Sequence, residues 1–497
     1  MLLTDVRSQA EARLSELSHE YFMHHAGHKA DVAMAPIVRK YAHLLEPTVQ
    51  TAIREGWEQA VDPVEKRQLG YLYGDCLRNV LRRDLAEAGD ALGRAEAKTV
   101  VRFEDRELSY PQAGMAVAGE ADREKRKAIA AAVRAVSQTL NGPRVDLLER
   151  ERALITGELG FPHYRAFYEM VRGIDFAAEG ARMTRFLEET KDLYEVVMTQ
   201  WAEEVFGLPY RELETHDLGF LRRASEFDAH FPAERLVPSL HDTLRGLGLD
   251  PETLTNIHLD LDNRPGKSSR AFCMGVRIPE EVHLCITPGG GCDDFHSLFH
   301  EMGHALHFGH AEASLPFEFR FTGDNSVCEG FAFNMEHVTH EAPWLTEHLG
   351  LPEDVLARYR RHQARLLFLN LRRFASKHLF ELALHDERPV ADKGALYAEM
   401  MTAHLGIRHF EEDFLAATDG GFYTAQYFRA WCLEAQLKRV LKSRFGEAWY
   451  ASPEAGAFMK GLWGLGQSLP GDELAQRLGY AAIETDAVLE ELEPLLR

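Results

Sequence analysis

RAFCMGVRIPEEVHLCITPGGGCDDFHSLFHEMGHALHFGH, residues 270–310, is the stretch around which the rest of the chain is read. Two β-prone runs, RAFCMGV (270–276) and EVHLCIT (281–287), are joined by Arg277 to Glu280 and closed by Pro288-Gly289-Gly290-Gly291, the pattern of a short strand pair. At Asp293 the period changes. Phe295, Leu298, Met302, Ala305 and Leu306 recur at helical spacing and predict one buried stripe, while Asp293 and Asp294 suit the positive end of a helix dipole. On that helix His300 and His304 are one turn apart and project the same way, so both imidazoles reach one metal ion. Glu301, beside the first of them, reaches a water on that ion. His296, His307 and His310 lie on or near the same face; lacking a Glu in the corresponding order, they read as packing or supporting groups.

A catalytic zinc needs a third protein ligand and one open position. Glu329 stands 25 residues after His304, in SVCEGFAFNMEH (326–337), a second helix for which Asp324, Asn325 or Ser326 is the expected cap. Glu336 follows two turns later on the same face, placed to hydrogen-bond a ligand imidazole. A glutamate pair at this spacing is usually a solvated stripe. Here Phe331, Ala332, Phe333 and Met335 surround it, and carboxylates in such company are costly to bury without a cation.

Working outward, helical periodicity dominates. Leu3, Val6, Ala10, Leu14, Leu17 and Tyr21 mark one apolar face, and Leu366, Leu367, Leu371, Phe374 and Leu379 another. Glu46-Pro47, Asp62-Pro63, Asn141-Gly142-Pro143, Gly157 to Pro162, Gly207-Leu208-Pro209 and Phe231-Pro232 are read as helix breaks. TVVRF (99–103) and ELSY (107–110) predict a second small hairpin. The expected fold is mainly α, with one small β-sheet placed just before the zinc helix.

The 497 residues exceed what one small core organises, so at least two lobes are expected. A net charge of -22 excludes a nucleic-acid partner, which needs a basic face, and favours a soluble monomer. The first residues lack the basic and apolar regions of a secretory signal, and no stretch reaches the length of a membrane span. Six scattered cysteines without CxxC pairs read as reduced thiols of a cytoplasmic protein.

Asp260 to Glu336 resembles the thimet oligopeptidase and oligoendopeptidase F group of zinc peptidases, in the order GKSSRAFCMGV, EVHLCIT, a Gly-rich turn and FHSLFHEMGHALH. GELGFPHYRAFYEM (157–170) and GGFYTAQYFRAWCLEAQL (420–437) are similar to that family more weakly. The resemblance implies one zinc per chain held by His300, His304 and Glu329, with Glu301 as catalytic base. It further implies a mostly helical, two-lobed ellipsoid with a deep substrate channel, divided into an N-terminal lobe (1–250) that walls the channel and a catalytic lobe (251–497). Two departures stand out. Glu329 is followed by Gly330-Phe331-Ala332 where the family carries Pro-Ser-Gln, and Leu415 to Thr418 supplies no histidine before the C-terminal tyrosines.

The expected activity is hydrolysis of internal bonds in short unstructured peptides. Tyr427 is the candidate oxyanion donor, and Tyr423, one helical turn away, would contact substrate backbone. Gly289 and Gly290, with Gly420 and Gly421, are candidate substrate contacts, and the edge of EVHLCIT a candidate partner for an extended peptide. The competing readings are a dipeptidase or carboxypeptidase gripping a terminal carboxylate with Arg408, Arg429 or Lys438, an inactive scaffold, and a hydrolase of another bond type.

Overall fold

The periodic apolar residues translate into helix over most of the chain. The computed structural model describes residues 3–497, among which there are 21 α-helices and five short strands. The fold is mainly α. No helix among the described residues is long and apolar enough to cross a membrane.

The residues group into two compact units, each assembled from separate stretches. The first comprises the chain up to Leu77, Ser225–Arg361 and Arg429–Glu493; the second comprises Arg78–Ala224, His362–Phe428 and Pro494–Arg497. This grouping differs from a single cut between residues 250 and 251. The reason is visible in the opening helix, Leu3–His25. Its Phe22 stacks on His283 at 3.9 Å and joins Ala26, Val276 and Cys285 in one apolar cluster, tying the start of the chain to the sheet of the first unit. That contact also rolls the helix end. Phe22 is buried, whereas Tyr21, expected on the apolar face, is 45% exposed.

The predicted hairpin forms β1 (Val100–Phe103) and β2 (Arg106–Ser109), paired antiparallel with Val101 opposite Leu108. In the first unit β3 (Ile257–Asp260), β4 (Phe272–Arg277) and β5 (Glu281–Cys285) make a three-stranded sheet in the order β3-β5-β4. β4 and β5 are antiparallel, as the strand pair predicts. β3 was not expected and runs parallel to β5. It overturns one expectation: β5 is the central strand, bonded on both sides, so the edge of EVHLCIT is not open to a peptide, and β4 is an outer strand instead. Lys267 braces this arrangement, its buried ammonium donating to the carbonyls of Asp260, Asp262 and Ile286 and to the Asp260 carboxylate.

A second correction concerns Asn141-Gly142-Pro143. The helix Arg123–Gly157 runs straight through it. A proline in a helix interior removes one amide donor, and here flanking side chains anchor the segment: Asn141 Nδ2 and Ser137 Oγ both donate to the Glu412 carbonyl, at 2.8 and 3.2 Å. The other predicted breaks fall at element ends, with helices starting at Pro47 and Pro63.

Candidate metal centre

The zinc helix expected from the sequence spans Cys292–His310, and its predicted stripe of Phe295, Leu298, Met302, Ala305 and Leu306 is buried. Its N-terminus is held from far away. Asp228 accepts from the Cys292 amide at 3.1 Å, while Asp294 reaches back to the amides of Gly289 (2.5 Å) and Gly290 (2.8 Å). Gly290 has φ +82°, and a Cβ there would meet the Ala233 nitrogen at 2.9 Å. Close packing therefore accounts for the glycine at 290.

The second helix, Asn325–Glu336, starts at Asp324, whose carboxylate accepts from the Ser326 amide at 2.9 Å. The two helices cross at Gly303. A Cβ at that position would stand 2.6 Å from Ala332 Cα and 2.7 Å from the Phe331 carbonyl, so only glycine allows this approach. Gly303, the residue just before His304 in the HEMGH string, thus serves the crossing that brings Glu329 to the two histidines.

His300 Nε2 lies 3.4 Å from Glu329 Oε2 and His304 Nε2 lies 3.8 Å from the same oxygen. A tetrahedral zinc with arms of about 2.0–2.1 Å sets its ligand atoms about 3.3–3.4 Å apart, so the His300–Glu329 edge matches such an ion and the His304–Glu329 edge is somewhat longer. His300 Nδ1 pairs with Glu336 Oε2 at 2.8 Å, leaving Nε2 as the nitrogen that faces Glu329. Glu336 has the orienting role its spacing predicts. Asn325, expected only as a cap, donates to Glu329 Oε1 at 3.3 Å and fixes that carboxylate. The His300 and His304 side chains keep 16% and 14% of their surface exposed, so the cluster is reachable from solvent.

The electrostatics follow from this convergence. Burial disfavours a charged His300, but the hydrogen bonds and charges of Glu329 and Glu336 outweigh it and push the imidazole up to about 10. Glu329 and Glu336 are held below the usual carboxylate range, because the histidine contacts outweigh burial. His304 is lowered by burial to about 4 and is a neutral lone-pair donor. The set attracts one positive charge, and a divalent cation taking that place would release the His300 proton. Glu301 is raised by burial, opposed by the charge of His300, and it accepts a hydrogen bond from the Cys273 amide on the outer strand β4.

The remaining histidines of the helix divide. His307 Nε2 pairs with the Gly466 carbonyl at 3.1 Å and His310 Nδ1 with the Leu306 carbonyl at 2.9 Å, both packing roles. His296 joins a second group, His296, Glu336 and His340, that sequence reasoning missed. The signal was present: His296 stands one turn before His300, and His340 four residues after Glu336.

Tyr423 and Tyr427 lie in the second unit, at the start of the helix Tyr423–Phe445, whereas His300, Glu301, His304 and Glu329 belong to the first. They share a helix face as predicted, with ring centroids 5.1 Å apart. Gly421, also there, has φ +65°, and a Cβ would run into the Tyr168 ring at 2.4 Å, a packing reason for glycine; Gly420 faces no such neighbour. Two of the three cations considered for gripping a terminal carboxylate are committed elsewhere. Arg429 is buried against Asp472 at 2.9 Å, and Lys438 is buried between Glu434 (3.0 Å) and Glu491 (2.7 Å). Arg408 is exposed and stands 3.6 Å from Glu214.

No family model matches the chain, and no curated protein matches it.

Proposed function

We propose that the chain is a zinc metallopeptidase that hydrolyses internal bonds of short, unstructured oligopeptides. One observation supports this above all: two imidazole nitrogens and a carboxylate oxygen converge at the spacing of a three-ligand zinc site, with Glu301 as the next residue on the same helix. Zinc bound there would supply Lewis acidity, lowering the pKa of a water towards about 7 and polarising a carbonyl. Every other step belongs to the protein's own groups.

Glu301 takes the water proton and delivers it to the departing amine. Burial raises its pKa above the usual carboxylate range, the direction that suits a group which must both accept and give up a proton. The outer strand β4 offers main-chain groups to an extended peptide, and the Cys273 amide already points at Glu301. Backbone pairing of this kind recognises peptides with little demand on their side chains. Following the family resemblance, Tyr427 is assigned to the developing oxyanion and Tyr423 to substrate backbone. The burial of Arg429 and Lys438 weighs against terminal-carboxylate recognition and for internal cleavage.

The test is a mixed library of peptides of ~5–20 residues incubated with zinc-loaded protein, with cut positions read by mass spectrometry. Internal cuts that vanish with a chelator are expected, with folded proteins left intact. Trimming confined to the last one or two residues would replace the reading with an exopeptidase, and an uncut library would remove it.

A further inference from the structure

A second set of donors adjoins the first cluster: His296 on the first helix, Glu336 at the end of the second, and His340 in the 3-10 turn His337–His340 that follows it. His296, one turn before His300, presents its Nε2 to His340 Nε2 at 3.3 Å, with the rings nearly perpendicular at 80°. Glu336, the carboxylate that orients His300, belongs to this group too, and the three ligand atoms all lie within 4.8 Å of one another. The phenol of Tyr359, a fully buried side chain, is 2.7 Å from the same His296 nitrogen. We propose that His296, Glu336 and His340 form a second site for a first-row divalent cation such as zinc, sharing Glu336 with the first cluster.

Two observations carry this. The 3.3 Å between the two nitrogens equals the edge of a tetrahedron with zinc–nitrogen arms of about 2.0–2.1 Å. The donor set of two imidazoles and a carboxylate is one that intermediate divalent metals accept, and Tyr359, hydrogen-bonded to His296 at 2.7 Å, holds that ring in place. A lone buried histidine needs no ligand to explain it. Two ring nitrogens meeting a phenol and a carboxylate at one point are far more specific.

Sharing Glu336 has a consequence. A cation in the second site draws on the carboxylate that fixes the His300 ring, so its occupancy tunes the first site without touching substrate. This assignment does not depend on peptidase chemistry and is tested without any activity measurement.

The full chain, stripped of metal and titrated with zinc chloride, is expected to bind two ions by calorimetry and elemental analysis. His340→Ala and the gentler His340→Gln should each bind one, His300→Ala should bind one, and the His300→Ala/His340→Ala double variant none, with helical circular dichroism confirming that each is folded. A single ion in the wild-type chain, lost in His300→Ala and retained in both His340 variants, would overturn the second site and leave the first. A single ion retained in His300→Ala and lost in both His340 variants would keep the second site and remove the first. A chain that binds no zinc loses both.

Discussion

Glu336 touches neither water nor substrate in this account, yet it decides how well His300 works as a ligand. Its 2.8 Å contact with Nδ1 sets the ring orientation and raises the basicity of the opposite nitrogen. Glu336→Ala is therefore expected to weaken zinc binding by about 10- to 100-fold, read by competition with a chromogenic chelator. Unchanged affinity would show that His300 is positioned by the fold alone. A phenol aimed at an oxyanion acts only in the transition state, so Tyr427→Phe should lower kcat by roughly 10²-fold with KM and zinc content little altered. A larger fall in Tyr423→Phe would exchange the two roles, and normal turnover in both would take the tyrosines out of the mechanism.

Among the elements, the crossing of the zinc helix and the Glu329 helix matters most. Its closest point is Gly303, where an added methyl would meet Ala332 Cα at 2.6 Å and force the helices apart. Gly303→Ala should still fold but lose zinc affinity well beyond the ordinary cost of a surface substitution, because Glu329 retreats from both imidazoles. Affinity equal to wild type would place the origin of the cluster elsewhere. Much at this scale was legible in the sequence. The period change at Asp293 located the helix, the 25-residue step to Glu329 and the seven-residue step to Glu336 located the supporting groups, and the β4–β5 pair was visible as two β-prone runs. What was illegible depended on partners distant in the chain. IHLD (257–260) is too short to announce a strand, and it becomes one only because β5 offers it a parallel edge. For the same reason the open edge was assigned to the wrong strand. The cap from Asp228 to Cys292 and the stacking of Phe22 on His283 bridge residues that no local pattern connects.

At the scale of the whole molecule, the proposed metal would be an addition to a fold that has its own cores. The first unit buries Phe231, Phe295 and Trp344, whose indole donates to Thr243 Oγ1 at 2.9 Å; the second buries Phe167, Phe176, Phe186 and Trp201. Chelation should therefore abolish turnover while leaving the helical signal intact, with the midpoint of thermal unfolding lowered by the lost binding free energy. Collapse of the helical signal on chelation would mean that the ion holds the fold together. The central claim, a metal-assisted hydrolysis with Glu301 as its base, has a sharper test: turnover and zinc content measured on the same preparation of Glu301→Gln. The amide is nearly isosteric and not a ligand, so zinc should remain as in wild type while turnover falls by several orders of magnitude, since it cannot accept the water's proton. Near-normal turnover in a zinc-loaded Glu301→Gln chain would contradict the account.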